Sequence, residues 1–328
     1  MRKTLMSMKL HCKVEKPSAK NWSAVKAQLH YMLRALGDLL MPRRCLVCGE
    51  VLETLQDEND GRKLTAHLCP ACAEDLPETF FWGWEENPAE QHLWRRVGIV
   101  HAASLYLYRQ QSEYTRLVQA VKYEGNLQLG RVLGRELGIR MQAAGRFSRP
   151  MKDPVTGEMI PGIQAIVPVP LHPLRRWKRG YNQAEVIARG LAEGFTAERR
   201  SVCEGQTRRR LFSFTLRKQS GAGGAKNPER SDSSGREDIP TLLPVITDLL
   251  RRARYTRTQT KLSAEEKQRN VAGAFVLRPK TAARLKAQGI RHLLIVDDVL
   301  TTGATLSEAI RPLLPHFCVS VATIAFVE

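Results

Sequence analysis

Two adjacent carboxylates and a turn rich in threonine and glycine lie close together near the end of the sequence. Asp297 and Asp298 follow the apolar residues 293–296, and residues 301–305 read Thr-Thr-Gly-Ala-Thr. The apolar run predicts a buried parallel strand, and ligands of open α/β sheets bind beyond the carboxyl ends of such strands. The turn would offer backbone N–H groups to a phosphate, whereas the carboxylates would face hydroxyl groups or a divalent cation. A sugar phosphate carries both kinds of group.

This segment resembles the phosphoribosyl-pyrophosphate (PRPP) motif of type I phosphoribosyltransferases, in which an apolar run precedes an acidic pair, an apolar pair and Thr-Thr-Gly-x-Thr. The resemblance implies that Asp297 and Asp298 bond the ribose 2′- and 3′-hydroxyls, and they are the candidate catalytic residues. It also implies a 5′-phosphate-binding turn, made of Thr301, Thr302, Gly303, Ala304 and Thr305. An ordinary buried strand before a capped helix is the alternative, but packing does not demand this order of residues.

Four of the seven cysteines form two C-x₂-C pairs. Cys45 and Cys48 make the first pair, Cys69 and Cys72 make the second, and 20 residues separate the pairs. Each pair can present two thiolates to one tetrahedral ion, and in a reducing compartment a metal site is favoured over disulfides. The sequence therefore predicts a structural zinc ion with no open position for catalysis. Because four thiolates complete the shell, we expect the nearby His67 to be a solvated residue.

A cluster of basic residues follows the apolar segment 163–169, which predicts a second strand. The cluster contains Arg175, Arg176, Lys178 and Arg179. It lies where a loop between this strand and a predicted helix would reach the ligand side of the sheet. Guanidinium groups pair bidentately with phosphate oxygens, so Arg175 and Arg179 are candidates to hold a pyrophosphate. A solvated basic loop is the alternative.

Several further motifs occur in the order typical of one family. They are Pro168-Val-Pro-Leu-His172, Arg179-Gly-Tyr-Asn-Gln183, Thr258-Gln-Thr-Lys-Leu262 and Arg269-Asn270. With the four cysteines, they resemble the ComF family (ComFC- and GntX-like proteins) over about residues 38–328. The resemblance implies an α/β fold, in which a type I phosphoribosyltransferase-like parallel sheet is flanked by helices and joined to a small N-terminal zinc-ribbon module.

The resemblance implies that the chain binds PRPP with Mg²⁺. Whether it is an enzyme stays open: it would be a glycosyltransferase if it transfers phosphoribosyl to an acceptor, which the sequence does not identify. The alternative is a non-catalytic, PRPP-responsive protein that binds single-stranded DNA during DNA uptake, with competence or DNA-processing proteins as partners. The formal charge of +18 suits either a polyanion or pyrophosphate. Trp177 and Tyr255 could stack on bases, or they could simply pack.

Residues 251–261 resemble the mobile hood loop of phosphoribosyltransferases, which closes over PRPP and excludes water. The candidates for this loop and for the pyrophosphate are Thr258, Gln259, Lys261 and Arg269. Arg269 ends a predicted helix that begins with a capping box at Ser263 and Glu266. Exposure on that helix is the alternative for Arg269.

The elements that must position these residues can be predicted from apolar periodicity. An N-terminal extension, residues 1–40, contains an amphipathic helix that we expect to pack against the four-cysteine zinc-ribbon module, 41–84. We expect the boundary with the phosphoribosyltransferase-like domain, 97–328, near residues 84–96, where residues 84–88 form a polar connector. Within that domain, residues 217–238 are polar and of low complexity, which predicts a disordered insertion.

The phosphoribosyltransferase-like domain is predicted to alternate between strands and helices. Strands are predicted over 97–108, 163–169, 293–296 and 319–327, helices over 114–121, 127–141, 184–191 and 306–314, and a loop over 151–162. No run approaches the ~18 apolar residues that a membrane span needs, and the first residues lack the apolar core of a secretory signal. We therefore expect a cytoplasmic protein without membrane insertion.

Overall fold

Four parallel strands form the central sheet, in the order β1-β8-β7-β4. Their bounds are Ala102–Tyr108 (β1), Ala165–Pro168 (β4), His292–Leu300 (β7) and Cys318–Val327 (β8). The register pairs Val296 of β7 with Pro168 on one side and with Ala322 on the other. Beyond β4, the Ile166 N–H donates to the Pro244 carbonyl and the Ile246 N–H donates to the Ile166 carbonyl. These bonds add a short parallel segment to that edge.

The structure is a computed structural model that describes residues 42–53, 63–153, 157–196, 242–254 and 272–327, and three further positions at 28, 29 and 32. The remainder of the predicted N-terminal extension and the whole predicted insertion, 217–238, lie outside the described residues. In the described part of the chain, no helix has the length and apolar character that crossing a membrane requires.

Two small antiparallel ribbons flank the sheet. The first pairs β2 (Met151–Lys152) with β3 (Met159–Ile160), within the segment that was predicted as a loop. The second pairs β5 (Leu250–Arg252) with β6 (Phe275–Leu277). The second ribbon places Arg252 at the carboxyl end of the sheet.

From residue 42 onward, eight α-helices flank the sheet, besides a short 3₁₀ helix at Leu64–Ala66. They are α1 (Pro70–Glu74), α2 (Pro88–Trp94), α3 (Thr115–Tyr123), α4 (Leu127–Ala144), α5 (Pro173–Arg179), α6 (residues 183–196), α7 (Pro279–Ala287) and α8 (Ala304–Ile310), counted within the described ranges. Helix α4 begins where the Asn126 side chain accepts from the Leu129 N–H, and it ends at Gly145 in the left-handed conformation. Its contact with α6 is close, because a Cβ at Gly134 would clash with the Ile187 carbonyl.

The core consists of two apolar clusters, one on each face of the sheet. Leu294 and Val296 of β7 belong to one cluster, and Leu293 and Ile295 belong to the other. This alternation follows from the two-residue period of a strand. The first cluster also contains Leu52, Leu68 and Leu76 of the cysteine module, together with residues of α4 and α6. The cysteine module therefore shares its core with one face of the sheet.

The predicted boundary region, residues 84–96, is part of this packed structure. It contains α2, whose Leu93 is fully buried. Asn87 is also fully buried: it accepts from the Glu90 N–H and donates to the Ala102 carbonyl at 2.9 Å. The polar residue Asn87 in this stretch is thus a helix cap, and it does not belong to a solvated linker. The exact division into domains stays a prediction.

The predicted fold class is confirmed, since the parallel sheet is flanked by helices and the cysteine cluster lies near the N-terminal side. The strands lie where they were expected, but their ends differ. Strand β7 continues through Asp297 and Asp298 to Leu300, whereas only the apolar residues 293–296 were predicted as strand. Helix α8 begins at Ala304, two residues before its predicted start.

Candidate functional site

A cavity of about 280 Å³ opens at the carboxyl ends of β4 and β7. Its lining residues come from the segment after β4, from α3, α5, α6, β5 and β7, and from α8 with the turn before it. They are Lys122, Tyr123, Val169, Leu171, Arg175, Arg179, Asn182, Gln183, Arg252, Asp297, Asp298, Val299, Thr301, Gly303, Ala304, Thr305 and Leu306. The size is at the lower end of the range for small-molecule sites, roughly 300–1,000 Å³.

The acidic pair lies in the last part of β7 and lines the cavity. The Asp298 N–H donates to Asp297 Oδ1 at 2.9 Å, and Asp298 Oδ1 lies 3.1 Å from Lys122 Nζ. Burial raises the pKa of Asp297 to about 7, and the charge of Asp298 acts in the same direction. Burial opposes the charged form of Lys122, but the charges of Asp298 and Asp297 outweigh it and raise its pKa. Asp297 therefore exchanges a proton near neutral pH.

The turn between β7 and α8 is built around Gly303. Its φ of 71° is left-handed, and its carbonyl accepts from the Ser307 N–H at 2.8 Å. A Cβ at this position would lie 3.2 Å from Leu93 Cδ2 and 3.4 Å from the His92 ring of α2. Glycine is therefore required by the backbone conformation and by the close approach of α2.

The predicted basic loop is a helix. Helix α5 begins with Pro173 after His172, whose Nδ1 accepts from the Leu174 N–H at 3.3 Å, and it ends at Gly180 with φ of 80°. The prediction of a loop was wrong because these capping signals were overlooked. Arg175 and Arg179 line the cavity from this helix. Cations near a helix C-terminus interact favourably with the helix dipole.

Arg252 adds a third guanidinium to the cavity. Only 5% of its side chain is exposed, and its Cζ lies 5.2 Å from the centre of the Phe275 ring. Burial lowers the pKa of Arg252 to about 10, the charge of Arg175 acts in the same direction, and Asp297 opposes both. With Lys122, the cavity has four cationic side chains for two carboxylates, so its field favours a polyanion.

Asn182 and Gln183 line the cavity with atoms that lack partners. Asn182 Nδ2 donates to the Val169 carbonyl at 3.1 Å, which orients the amide. Asn182 Oδ1 and Gln183 Nε2 are buried without a hydrogen-bond partner among the described residues. A buried polar atom without a partner costs roughly 1–3 kcal/mol, so the cavity is suited to a polar ligand.

The structure brings most candidate residues for sugar-phosphate binding to this one cavity. Lining it are Asp297, Asp298, Thr301, Gly303, Ala304, Thr305, Arg175 and Arg179. Thr302 belongs to the same turn but is not among the lining residues. The candidates Thr258, Gln259, Lys261 and Arg269 lie outside the described residues. The roles assigned to all of these residues stay predictions.

Sequence reasoning missed five polar cavity residues, which are Lys122, Tyr123, Asn182, Gln183 and Arg252. Asn182 and Gln183 lie within a motif typical of the family, so that motif could have indicated them. Arg252 lies at the start of the hood-like segment. Nothing local indicates Lys122 and Tyr123, because they only end a helix that tertiary packing brings to β7.

The four predicted zinc ligands form one cluster. The sulfur atoms of Cys45, Cys48, Cys69 and Cys72 all lie within 4.8 Å of one another. Cys48 Sγ and Cys69 Sγ are 3.7 Å apart, close to the edge of about 3.8 Å that a tetrahedron with Zn–S bonds of about 2.3 Å would have. The donor set and its geometry therefore fit a metal ion such as zinc.

Backbone hydrogen bonds shape the two cysteine turns. Gly49 has φ of 80°, and its N–H donates to the Cys45 carbonyl at 2.9 Å. The Leu46 N–H donates to the His67 carbonyl at 3.0 Å and so joins the two turns. Burial would raise the pKa of Cys45, but hydrogen bonds from backbone N–H groups, first that of Cys48, lower it to about 7. At Cys45 this favours the thiolate that a metal requires, whereas burial raises the pKa of Cys72 in the metal-free cluster.

His67 differs from its expectation. It is half-buried and not solvated, and burial lowers its pKa to about 4. The His67 carbonyl accepts from the Leu46 N–H, so this residue lies between the two cysteine segments and within the module. The prediction that four sulfur atoms form the cluster is unaffected.

Comparison with known proteins finds relatives whose names refer to competence or DNA utilization. Competence protein F of Haemophilus influenzae is 28% identical over 192 residues, 58% of this chain and 58% of that protein. The DNA utilization protein YhgH of Escherichia coli K12 is 27% identical over 198 residues, 60% of each chain. YhgH of Salmonella typhimurium is 30% identical over 159 residues, 48% of this chain and 46% of that protein. No family model matches the sequence.

The chain spans about 60% of the length of the first two of these relatives. Their similarity joins the other evidence, which is the four-cysteine cluster and the parallel sheet with its acidic pair. Together, these findings support a ComF-family protein.

Proposed function

We propose that the chain is a phosphoribosyltransferase-like protein that binds PRPP, with Mg²⁺, in the cavity at the carboxyl ends of β4 and β7. The observation that carries this proposal is the composition of the cavity. An acidic pair at the end of a central strand, a glycine turn and an excess of cationic side chains converge on one space. Ribose hydroxyls, a 5′-phosphate and a pyrophosphate together require these three features.

The acidic pair suits the ribose diol. Hydroxyl groups donate to carboxylate oxygens, and charge-assisted hydrogen bonds are roughly twice as strong as neutral ones. Asp297 and Asp298 both line the cavity from one strand end. The adjacent turn, with Thr301, Gly303 and Thr305, would then meet the 5′-phosphate through amides and hydroxyls, and Gly303 keeps that turn free of a side chain.

The guanidinium groups suit the pyrophosphate. Arg175 and Arg179 reach the cavity from α5, and Arg252 reaches it from β5. Arg252 and Arg175 lie close enough for the charge of Arg175 to lower the pKa of Arg252. An anion between them would relieve this repulsion and gain two charge-assisted contacts.

In the proposed reaction, an acceptor nitrogen attacks C1 of the ribose while the bond from C1 to the pyrophosphate oxygen breaks. The chain would contribute by positioning the sugar and by stabilising the negative charge that develops on the pyrophosphate. Mg²⁺ would be held mostly by substrate oxygens and water, because that ion dehydrates reluctantly. Its role would be to neutralise the leaving pyrophosphate.

The test is PRPP binding by calorimetry in the presence of Mg²⁺. We expect wild-type chain to bind, and Asp297→Asn and Asp298→Asn each to lose at least about tenfold in affinity, since each removes a charged hydrogen-bond acceptor. Glu193→Gln is the control, because Glu193 pairs with Arg131 away from the cavity. Unchanged affinity in both aspartate variants would exclude this site. Release of pyrophosphate with a panel of nitrogenous acceptors would then establish transfer.

A second candidate function is the binding of single-stranded DNA, for which α5 supplies a specific observation. Every residue of α5 is at least partly exposed, and the Trp177 side chain is 86% exposed among Arg175, Arg176, Lys178 and Arg179. Aromatic side chains among cations are a common arrangement for single strands. The three relatives reported above carry competence or DNA utilization in their names, which supports competence or DNA-processing proteins as partners. Tyr255 lies outside the described residues.

This second function predicts steep salt dependence. An oligothymidine strand should bind the full chain with an affinity that falls with salt concentration, and Trp177→Ala should weaken binding by about 1–3 kcal/mol. Adding PRPP with Mg²⁺ tests whether the two ligands are coupled. Binding that is independent of Trp177 and of salt would contradict the proposed surface.

A further inference from the structure

The last turn of α3 contacts three separate segments that surround the cavity. The carbonyl of Val121 accepts from the Tyr181 hydroxyl at 2.6 Å, between α5 and α6. Lys122 Nζ lies 3.1 Å from Asp298 Oδ1 at the end of β7. The Tyr123 ring lies 5.3 Å from Cζ of Arg179 at the end of α5. Three consecutive residues thus join the half of the cavity with the acidic pair to the half with the arginines.

Lys122 is held in place by its helix. Its neighbours Val118 and Val121 are buried in the core, and the Lys122 side chain is 24% exposed. Its ammonium group therefore reaches the acidic pair from a fixed helix end, and not from a flexible surface loop. Since Lys122 lines the cavity as well, it is placed to influence a ligand that contacts the acidic pair.

The acidic pair has charged and titratable neighbours on several elements. Lys122 faces it from α3 and Arg252 faces it from β5, Arg175 of α5 acts on Arg252, and the buried hydroxyl of Tyr106 faces Asp298 from β1. Lys122 is the neighbour with a direct contact to Asp298. Two adjacent carboxylates repel each other, so the loss of a cation at 3.1 Å would favour the uptake of a proton by the pair.

We propose that Lys122 is a positioning residue of the sugar site: its ammonium group fixes the Asp298 side chain beside Asp297 and thereby sets the preference of the site for a vicinal diol. This inference rests on the proposed function. A hydroxyl group donates well to a carboxylate, whereas a protonated carboxyl has one acceptor oxygen fewer and competes as a donor. Lys122 therefore acts through Asp298, without a direct role in the chemistry.

A merely structural ion pair between α3 and β7 would behave differently. Its removal would lower the stability of the fold, but it would leave the relative affinity for two closely similar sugars unchanged. Arg140 offers a matched control, because its side chain is 25% exposed and pairs with Glu136 at 2.7 Å and with Glu78, away from the cavity.

The experiment compares ribose 5-phosphate with 2-deoxyribose 5-phosphate by calorimetry on the full chain. Wild-type chain and Arg140→Met should prefer ribose 5-phosphate by about tenfold or more, the effect of one charged hydrogen bond. In Lys122→Met, the preference at pH 7 should fall below about threefold, and it should return as the pH is raised, because the pair then loses its extra proton. Lys122→Arg should keep the preference.

The outcomes separate this inference from the proposed function. Failure of wild-type chain to bind PRPP overturns the proposed function and the inference with it, whereas a wild-type chain that binds PRPP but does not prefer ribose 5-phosphate overturns the inference alone. Wild-type preference that persists in Lys122→Met at pH 7 overturns the inference alone. A loss in Lys122→Met that is equal at every pH, or that Lys122→Arg also shows, overturns it too. Thermal unfolding of each variant shows whether the fold is retained, and Lys122→Arg remains informative if Lys122→Met does not fold.

Discussion

The cysteine cluster and the cavity differ in which parts of the chain bring their functional side chains together. In the cluster, two short segments bring four sulfur atoms within 4.8 Å of one another, and tight backbone turns fix their positions. In the cavity, single side chains from several distant elements meet around an open space, with unequal numbers of cations and carboxylates. The cluster is thus complete within its own module, whereas the cavity depends on how helices pack against the sheet. Substitutions should therefore act on stability in the first region and on ligand preference in the second.

The largest effect is expected from Cys45→Ser. Cys45 is buried, and its module shares a core with the sheet. In zinc-finger peptides, structural zinc contributes about 10–16 kcal/mol, so loss of one ligand should reduce the free energy of unfolding by several kcal/mol. Metal analysis should find less than one zinc per chain, and a chelator should destabilise the wild-type chain.

Cys318→Ser is the matched control for the cluster. Cys318 is a half-buried thiol on β8, outside the four-cysteine cluster. It should retain a full complement of zinc and most of the wild-type stability. A full zinc content in Cys45→Ser would contradict the four-sulfur site.

The second prediction concerns the pH dependence of stability in the cavity. Burial raises the pKa of Asp297 to about 7 in the folded chain, whereas an unfolded aspartate titrates near 3.9. The folded state therefore keeps a proton that the unfolded state releases, and stability falls as the pH rises from about 4 to about 7. The variant Asp297→Asn has no titrating carboxyl at this position and should not show this fall in stability. Its stability should exceed that of the wild-type chain by about 2–4 kcal/mol at pH 8, and by much less at pH 5.

Urea unfolding at pH 5 and at pH 8 measures this difference. Glu193→Gln should show little change between the two pH values, since Glu193 lies in an ion pair away from the cavity. An equal stability difference for Asp297→Asn at both pH values would contradict the raised pKa. If the prediction holds, the cavity carries a carboxylate that costs stability, as expected of a ligand site.

The contrast between the two regions explains what the sequence alone could predict. The zinc ligands follow from the spacing of Cys45, Cys48, Cys69 and Cys72, because the first pair shares one turn and the second pair lies at the start of α1. The acidic pair and the glycine turn were likewise predicted, since they are contiguous in sequence. In both cases, local chain geometry determines which groups come together.

The rest of the cavity could not be predicted in this way. Lys122 and Tyr123 reach it only because α3 packs with its end beside β7, and Arg252 depends on the pairing of β5 with β6. Local signals were also misinterpreted where a cap resembled a loop: Asn87 caps α2, and His172 caps α5. Apolar periodicity predicted the strands but not how far β7 extends into its polar end.

The third prediction compares two glycines with nearly the same backbone conformation. Gly303 and Gly289 have φ of 71° and 73°, but a Cβ at Gly303 would approach Leu93 and His92, whereas a Cβ at Gly289 would meet nothing within 4 Å. Gly289→Ala should cost only the strain of the left-handed conformation, about 1–2 kcal/mol. Gly303→Ala should cost more and should also weaken PRPP binding by about tenfold. Equal stability losses, with PRPP affinity unchanged in Gly303→Ala, would contradict a turn held against α2.

The smallest expected effect belongs to Tyr123, which connects α3 to the arginine half of the cavity. Its ring is 65% exposed and lies 5.3 Å from Cζ of Arg179, and an exposed cation–π contact contributes about 0.5–1 kcal/mol. Tyr123→Leu should therefore weaken PRPP binding by about two- to fivefold, because Arg179 is no longer held toward the pyrophosphate. Tyr123→Phe keeps the ring and should bind PRPP as the wild-type chain does. Ribose 5-phosphate, which has no pyrophosphate, should bind all three chains equally. A loss for ribose 5-phosphate as large as that for PRPP would mean that Tyr123 acts on the sugar half, and the division of the cavity into two halves would then be wrong.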